Sequence, residues 1–277
     1  MSHQPNRVRI PDLIRMKTRG EKIAVLTAYD ATMARVLDRA GIDILLVGDS
    51  LGTVILGYET TIPVTLEAMI HHTRAVANGA ARALVVGDLP FLTYQVSVEE
   101  AVRNAGRLIQ EGGAAAVKLE GGEPVADRVH RLNEIGIAVM GHIGLTPQSV
   151  HRLGGHRVVG KTREEADRLV RDARILEQAG AFAMVLECVP ADVAAAITAE
   201  LAIPTIGIGA GPDCDGQVLV SYDAFGLFDE FQPSFVKRYA NLGEQMSEAA
   251  RHYIEDVRQG RFPAAGRGMK TISDPAR

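Results

Sequence analysis

The sequence predicts a (β/α)8 barrel, and two observations lead to that prediction. Short apolar runs alternate with amphipathic helical segments along the 277 residues, which is the pattern of a parallel sheet with crossover helices. Several runs, among them residues 44–47 and 83–86, are continuous in Ala, Val, Ile and Leu, as expected of strands buried on both faces. We expect one domain covering residues 1–277, with residues 1–8 and 270–277 disordered.

Each strand is predicted from an apolar run that stops at a polar residue, a proline or a glycine. The predicted strands cover residues 22–29, 44–47, 83–87, 115–120, 138–142, 183–187, 203–208 and 217–220. Two long connections interrupt the alternation, at residues 51–64 and 143–162. Loops of that length inside a compact domain usually cover or bind something.

Helices are predicted between the strands from their caps and their stops. Asp30, Thr65 and Ser97 stand where an N-cap is needed, and Gly41 and Gly79 stand where helices should end. The predicted helices cover residues 10–17, 31–40, 65–78, 97–111, 122–136, 163–179 and 190–201, followed by a mainly helical region at 233–260.

Composition excludes several classes of protein. The net charge of −4 and the lack of a basic run argue against nucleic-acid binding. Two cysteines, Cys188 and Cys214, are too few for a disulfide framework and suit a reducing compartment. The polar N-terminus does not resemble a secretory signal, and we find no apolar run of membrane-spanning length. We therefore expect a soluble cytoplasmic protein.

Five predicted strands end in side chains that carry charge or exchange protons. Strand by strand, these residues are Asp49, Asp88, Lys118 with Glu120, His142 and Glu187. The carboxyl ends of the strands in a barrel meet at one rim, where barrel enzymes carry out their chemistry. Unpaired charges are costly to bury, so five such strand ends in succession favour a functional site over a purely structural role.

The acids Asp49, Asp88 and Glu120 predict a magnesium site. They are oxygen ligands with no histidine or cysteine beside them in the sequence, and Mg²⁺ takes a few carboxylates and keeps its waters. Zinc would be expected to use histidine or cysteine. The alternative is that each acid caps a helix or turns the chain.

The remaining rim residues have more than one interpretation. Lys118 lies on the same side of its strand as Glu120, so it either attracts an anionic substrate or pairs with that glutamate. Glu187 follows Val185 and Leu186, and apolar neighbours would suit it to proton abstraction, whereas a partly solvated loop glutamate is the alternative. His142 either orients substrate and shuttles protons or is a hydrogen-bonded structural residue.

The glycines at 207–211 have the composition of a phosphate-binding loop. Their spacing is narrower than that of a dinucleotide-binding fingerprint, and no acidic residue stands at the required distance. We expect them to allow close approach of the backbone at a strand end instead.

The chain resembles the ketopantoate hydroxymethyltransferase family over nearly its whole length, from about residue 27 to 239. The strings that carry the resemblance are Val47-Gly48-Asp49-Ser50-Leu51-Gly52, Gly87-Asp88-Leu89-Pro90-Phe91, Val117-Lys118-Leu119-Glu120-Gly121, Gly141-His142-Ile143-Gly144-Leu145-Thr146-Pro147-Gln148, and Ile206-Gly207-Ile208-Gly209-Ala210-Gly211. Gly57-Tyr58 with Thr60, Val64-Thr65 and Leu186-Glu187 add to it.

The resemblance implies a Mg²⁺-dependent barrel of the phosphoenolpyruvate/pyruvate type, with one ion per subunit. Such an enzyme transfers a one-carbon unit from 5,10-methylenetetrahydrofolate to 3-methyl-2-oxobutanoate through a Mg-stabilised enolate, in pantothenate and coenzyme A biosynthesis. The family also implies a homo-oligomer, a decamer of two stacked pentamers.

The resemblance also implies a role for each rim residue. The metal positions are Asp49, Asp88 and Glu120. The positions that bind the 2-oxo acid are Asp49, Ser50, Asp88 and Lys118. Glu187 is the proton acceptor, and His142 is a candidate accessory residue.

Two rival functions remain open at this point. An isocitrate-lyase-type enzyme would share the metal site, but its Lys-Lys-Cys-Gly-His string does not occur in this sequence. A non-enzymatic ligand-binding barrel would not need functional side chains at five successive strand ends.

Overall fold

A computed structural model describes residues 7–155, 157–228 and 233–264. It contains a closed barrel of eight parallel strands that follow one another around the barrel in chain order, so the predicted fold class is confirmed. The strands are β1 (Ile23–Thr27), β2 (Ile44–Val47), β3 (Leu84–Asp88), β4 (Ala116–Glu120), β5 (Val139–Gly144), β6 (Ala183–Glu187), β7 (Thr205–Ile208) and β8 (Gly216–Leu219). Residues of β1 pair with β8 and thereby close the ring.

Helices connect the strands in chain order, except between β7 and β8, where residues 209–215 contain no helix. In chain order they are α1 (Ile10–Arg19), α2 (Ala31–Arg39), α3 (Leu51–Val54), α4 (Leu66–Gly79), α5 (Val98–Gln110), α6 (Ala126–Glu134), α7 (Val150–Leu153), α8 (Arg163–Gln178), α9 (Ala191–Glu200), α10 (Ser221–Ala224) and α11 (Leu242–Arg258). Short 3-10 turns occur at Glu123–Val125 and Pro147–Ser149.

The three predicted N-caps are confirmed. The Asp30 carboxylate accepts hydrogen bonds from the amides of Thr32 and Met33. The Thr65 and Ser97 hydroxyls each accept one from the amide three residues on. Each cap satisfies backbone donors that the first helical turn leaves without an intrahelical partner, which fixes where α2, α4 and α5 begin.

The interior of the barrel is a layer of apolar side chains taken from alternate residues of the strands. One buried cluster contains inward-facing residues of every strand together with Val8 and Leu13. Leu13 lies on α1, is fully buried, and packs with this cluster. The strands are therefore held by a dry core, and their polar residues are displaced to the ends.

Several segments differ from the sequence prediction. The two long connections are not structureless, because 51–64 contains α3 and 143–162 contains α7. Residues 233–241, expected to be helical, form turns and coil. Within this segment the Tyr239 amide donates to the Ala224 carbonyl instead of to the preceding helical turn, and α11 begins only at Leu242.

The two ends of the chain were expected to be disordered. Residues 1–6 and 270–277 lie outside the described residues. Residue Val8, expected to be disordered with them, is 9% exposed, and its amide donates to the Arg82 carbonyl at 2.8 Å. The N-terminal segment is thus ordered from at least this point.

The chain divides into two compact units. One contains the barrel to Ser221 together with Ser234–Val236, and the other contains the described residues of Tyr222–Pro233 and Lys237–Arg277. In the second unit, α11 has no buried residue along its 17 residues. In the described part of the chain, none of the helices has the length and apolar character to cross a membrane. The single domain predicted from the sequence stays a prediction.

Candidate active site

The polar rim continues the same alternation that builds the apolar core. Leu84 and Val86 of β3 point into the core, and Asp88 is the next residue of that series. The other strands continue in the same way, with Lys118 and Glu120 after Ala116, His142 after Met140, and Glu187 after Ala183 and Val185. Because side chains alternate along a strand, these residues all face the barrel axis at its carboxyl end.

Asp49 and Asp88 are joined through the backbone. The Asp49 amide donates a hydrogen bond to Asp88 Oδ2 at 3.0 Å, and both residues are buried. A glycine is required at position 48, just before Asp49, because a Cβ there would lie 2.7 Å from Ser50 Oγ. Ser50 Oγ lies 2.8 Å from the Tyr29 hydroxyl, so Tyr29 fixes the hydroxyl that was predicted to bind substrate.

Lys118 joins the acids to the histidine. Its Nζ lies 3.3 Å from Asp88 Oδ1 and 3.3 Å from His142 Nδ1. Lys118 therefore pairs with Asp88 and not with Glu120, the partner considered from the sequence. Asp88 is 30 positions away in the sequence but lies directly opposite Lys118 in the β3–β4 register. Burial lowers the pKa of Lys118, but the carboxylates around it, Asp88 first, outweigh burial and raise its pKa.

His142 stands between Lys118 and Glu187. An ammonium group only donates hydrogen bonds, so His142 Nδ1 must accept from Lys118, and the ring proton sits on Nε2. His142 Nε2 lies 3.2 Å from Glu187 Oε2, without the alignment of a full hydrogen bond. Burial and then Lys118 lower the pKa of His142, so the imidazole is neutral at neutral pH.

Glu187 has a different environment from the one its sequence neighbours suggested. Val185 and Leu186 are apolar, but the closest charged or polar partner described is His142 on the adjacent strand. The side chain of Glu187 is 17% exposed, against 4% for that of Asp88, so it lies nearer to the mouth of the site. A carboxylate in this position is accessible to a molecule bound over the buried acids.

The carboxyl groups at the site outnumber the cationic groups. Four carboxylates, those of Asp49, Asp88, Glu120 and Glu187, surround one ammonium group and a neutral imidazole. Burial raises the pKa of Asp88 to about 7 and raises the pKa of Asp49, although Lys118 opposes both shifts. Burial and then Asp49 raise the pKa of Glu120 well above its usual range. A cation bound among these carboxylates would offset this cost.

The donor set fits a hard divalent cation. Asp88 Oδ1 is buried and accepts no hydrogen bond, although Lys118 is near, so this oxygen has a free lone pair. Among the described residues, no three Asp, Glu, His or Cys side chains are arranged so that one ion could contact them all directly. Mg²⁺ can bind through one or two carboxylates and retain water, so a site for it does not require direct contact with all three acids.

Two residues at the site were missed by the sequence analysis. Gln148 and Tyr94 are both buried, and each hydrogen-bonds to the predicted metal acids or to the backbone beside them. Both lie in loops, at the 3-10 turn after β5 and in the connection after β3. Gln148 belongs to a string that carried the family resemblance, and this was the only signal available for it.

The glycines at 207–211 do not form a phosphate-binding loop in this structure. A Cβ at Gly209, whose φ is +62°, would lie 2.8 Å from the Phe235 ring, and one at Gly211 would lie 2.6 Å from Ala191 Cβ. Close packing at a strand end, as predicted, is what these glycines allow.

A closed barrel with a buried cluster of acids, lysine and histidine at the carboxyl ends of its strands defines the class of barrel enzymes. The chain belongs to the ketopantoate hydroxymethyltransferase family, whose model matches residues 7–265. The resemblance found in the sequence is thereby confirmed.

Similar proteins agree with this assignment. A 3-methyl-2-oxobutanoate hydroxymethyltransferase of Moorella thermoacetica is 60% identical over 260 residues, which cover 94% of this chain and 97% of the relative. Another of that name, from Syntrophus aciditrophicus, is 60% identical over 248 residues, which cover 90% and 91%.

Solved structures share the fold. A phosphonopyruvate hydrolase in complex with oxalate and Mg²⁺ has a TM-score of 0.61 at 12% identity, and the match covers 95% of this chain and 92% of that one. A 2,3-dimethylmalate lyase of the PEP mutase/isocitrate lyase superfamily has a TM-score of 0.56 at 18% identity with the same coverage.

Proposed function

We propose that this enzyme transfers a hydroxymethyl group from 5,10-methylenetetrahydrofolate to 3-methyl-2-oxobutanoate, giving 2-dehydropantoate for pantothenate biosynthesis. The observation that carries the proposal is the Lys118–His142–Glu187 chain of contacts beside three buried acids at one rim. This geometry offers a metal site, a fixed cation and an accessible base in one place. The names of the close relatives give the substrate.

Mg²⁺, one ion per subunit, is held by Asp49, Asp88 and Glu120 in this proposal. The free lone pair of Asp88 Oδ1 and the cost of ionising the three buried acids, shown by the direction of their pKa shifts, support it. When bound, the ion supplies Lewis-acid polarisation of the keto oxygen of the 2-oxo acid.

Lys118 and Ser50 bind the 2-oxo acid beside that ion. The raised pKa of Lys118 keeps it a permanent ammonium group, which suits the charge of a 2-oxo acid. A protonated amine does not form a Schiff base, so Lys118 acts as a fixed charge and not as a nucleophile. The Ser50 hydroxyl, held by Tyr29, adds a directional hydrogen bond.

Glu187 removes the proton from C3 of the substrate. His142 presents its Nε2–H toward the Glu187 carboxylate, at 3.2 Å from Oε2, and so limits the positions that this carboxylate can take. The electron pair left on C3 forms the new bond to the folate methylene carbon. Both carbon–nitrogen bonds of the methylene group break, one as the carbon–carbon bond forms and the other as water adds the hydroxyl oxygen. The two nitrogens of tetrahydrofolate take up the proton from Glu187 and one proton from the water.

We further propose that the enzyme works as a cytoplasmic homo-oligomer, a decamer. Free Cys188 and Cys214 suit a reducing compartment. Helix α11 supports oligomerisation, since it leaves Met246, Tyr253 and Val257 between 45% and 62% exposed. Exposed apolar side chains of this kind on one helix are typical of subunit contacts. Sedimentation at micromolar concentration tests this, and a mass near the 29.7 kDa of one chain would contradict it.

The direct test is a turnover assay with 3-methyl-2-oxobutanoate, methylenetetrahydrofolate and Mg²⁺. We expect 2-dehydropantoate and tetrahydrofolate in equal amounts, and little product from Glu187→Gln. The rival lyase would instead cleave a carbon–carbon bond of a substituted malate without folate. Product formation from such a substrate, with none from the folate mixture, would overturn the proposal.

A further inference from the structure

The carboxamide of Gln148 is the most completely engaged polar side chain near the site. It is 6% exposed, and its Nε2 donates to Asp49 Oδ2 at 2.9 Å and to the Leu89 carbonyl at 3.0 Å. Its Oε1 accepts from the Tyr94 hydroxyl at 2.8 Å and from Gln95 Nε2 at 3.0 Å. We propose that Gln148 is a positioning residue that sets the orientation of the carboxylates of Asp49 and Glu120 for cation binding.

The orientation of the amide follows from its partners. An ionised carboxylate and a backbone carbonyl only accept hydrogen bonds, so the NH2 group must face Asp49 and Leu89. Gln95 Nε2 only donates, so the oxygen faces it. The Tyr94 hydroxyl lies within hydrogen-bond distance of the same oxygen and of the Glu120 carbonyl, between which its one proton is shared. All four hydrogen-bonding positions of the carboxamide are thereby used, and a flipped amide would lose them together.

The same residue also fixes Glu120, through its backbone. The Gln148 amide N–H donates to Glu120 Oε2 at 3.1 Å. Tyr94 extends this contact, because its hydroxyl accepts from the Glu120 amide at 3.1 Å while it lies 2.8 Å from Gln148 Oε1. One oxygen of each carboxylate is therefore occupied by Gln148, and the second oxygen of Glu120, Oε1, lies 3.6 Å from His142 Nδ1.

Gln148 connects acids that belong to different strands. Asp49 follows β2, Leu89 follows β3 and Glu120 ends β4, whereas Gln148 lies in the 3-10 turn after β5. The strands place the backbone of each acid, and the 3-10 turn that carries Gln148 restricts rotation of the Asp49 and Glu120 side chains. Outer residues that orient metal ligands in this way typically contribute 10–100-fold to metal affinity.

The inference rests on the proposed function, and the test compares two carboxamides. Gln148→Met keeps the length of the side chain and removes its hydrogen bonds. Asn104→Leu is the matched control, because the Asn104 side chain donates to the Thr93 carbonyl at 2.7 Å, in the same connection as Tyr94. Calorimetry measures the Kd of Mg²⁺ in the presence of 3-methyl-2-oxobutanoate, and thermal unfolding is followed in parallel.

We expect Gln148→Met to weaken Mg²⁺ binding by about 10–100-fold and Asn104→Leu to leave it within about twofold. Saturating Mg²⁺ should restore much of the turnover of Gln148→Met, which loss of folding would not allow. Should Gln148→Met fail to fold, Tyr94→Phe provides the second variant, with a smaller loss of affinity in the same direction.

The possible results distinguish a failure of the proposed function from a failure of the role given to Gln148. A wild-type protein that binds no Mg²⁺ with the 2-oxo acid overturns the proposed function and this inference with it. Normal wild-type binding together with an unchanged Kd in Gln148→Met, or in Tyr94→Phe where it replaces that variant, overturns the inference alone. If Asn104→Leu weakens Mg²⁺ binding as much as Gln148→Met, the inference is also overturned, because the loss would then come from loop packing.

Discussion

Gly144 faces Glu187 across the β5–β6 pair, so closely that a Cβ on Gly144 would overlap the carbonyl oxygen of Glu187. Gly144 has a φ of +96°, and the amide of the next residue, Leu145, donates to that same carbonyl at 2.8 Å. The backbone that carries the proposed base is therefore seated directly against a residue without a side chain.

This contact predicts a large effect of Gly144→Ala. The added methyl group strains a left-handed backbone and pushes on Glu187, so we expect a loss of about 2–4 kcal/mol in the free energy of unfolding. Gly154→Ala is the control, because Gly154 has a φ of +71° with nothing within 4 Å of its Cβ position. It should cost only about 1–2 kcal/mol. Denaturant unfolding measures the free energy of unfolding of both variants. Equal losses would show that the contact with Glu187 does not contribute to stability.

The exchange of the C3 hydrogen with deuterated water isolates the role of Glu187. Glu187→Gln keeps the size of the side chain and removes its basicity, so exchange should slow by about 10²–10⁴ while 2-oxo acid affinity stays nearly unchanged. Proton NMR of the substrate with Mg²⁺, with and without folate, is the measurement. Exchange at the wild-type rate would assign the base to another group, of which His142 or a metal-bound water is the nearest alternative.

Substitution of the buried aspartates should weaken two ligands together. In Asp88→Ala or Asp49→Ala we expect Mg²⁺ and 2-oxo acid affinities to fall in parallel, because the acid binds through the ion. Glu120→Ala should have a smaller effect if that carboxylate acts through water. Calorimetry of each ligand in the presence of the other is the readout, and unchanged binding of both in Asp88→Ala would remove Asp88 from the metal site.

Mg²⁺ affinity should rise as the pH increases from 6 to 8. Burial raises the pKa of Asp88 from 3.8 to about 7, so between these values the folded protein keeps a proton that the unfolded chain has released. Without metal, the free energy of unfolding therefore falls as pH rises through this window. The ion must displace the same proton, so its affinity should increase by up to about tenfold from pH 6 to pH 8. Calorimetry in two buffers of different ionisation enthalpy counts the released proton, and a flat affinity would contradict the prediction.

The fold and most of the site could be predicted because both follow from short-range patterns. Apolar runs mark the strands, and the alternation that directs Val86 inward also directs Asp88 inward. The strand order then brings Asp88, Lys118 and His142 together without further information. The partner of Lys118 could not be predicted, because the choice between Glu120 and Asp88 depends on the β3–β4 register.

The loop residues of the site could not be predicted from sequence patterns. Gln148 and Tyr94 carry no charge and no periodicity, and their contacts with the acids appear only when separate connections fold over the rim. The helix expected across 233–241 failed for a related reason, since its amides bond to residues about fifteen positions earlier in the chain.

The hydrogen bond from the Asp49 amide to Asp88 Oδ2 has an evolutionary consequence. A mutation at position 88 removes one acid and also releases the main chain that carries the other. The two acids are thus structurally linked, and we expect a replacement at position 88 to disturb the position of Asp49 as well. A lineage that adapts this barrel to a new reaction would be expected to keep both aspartates and vary the more exposed Glu187 first.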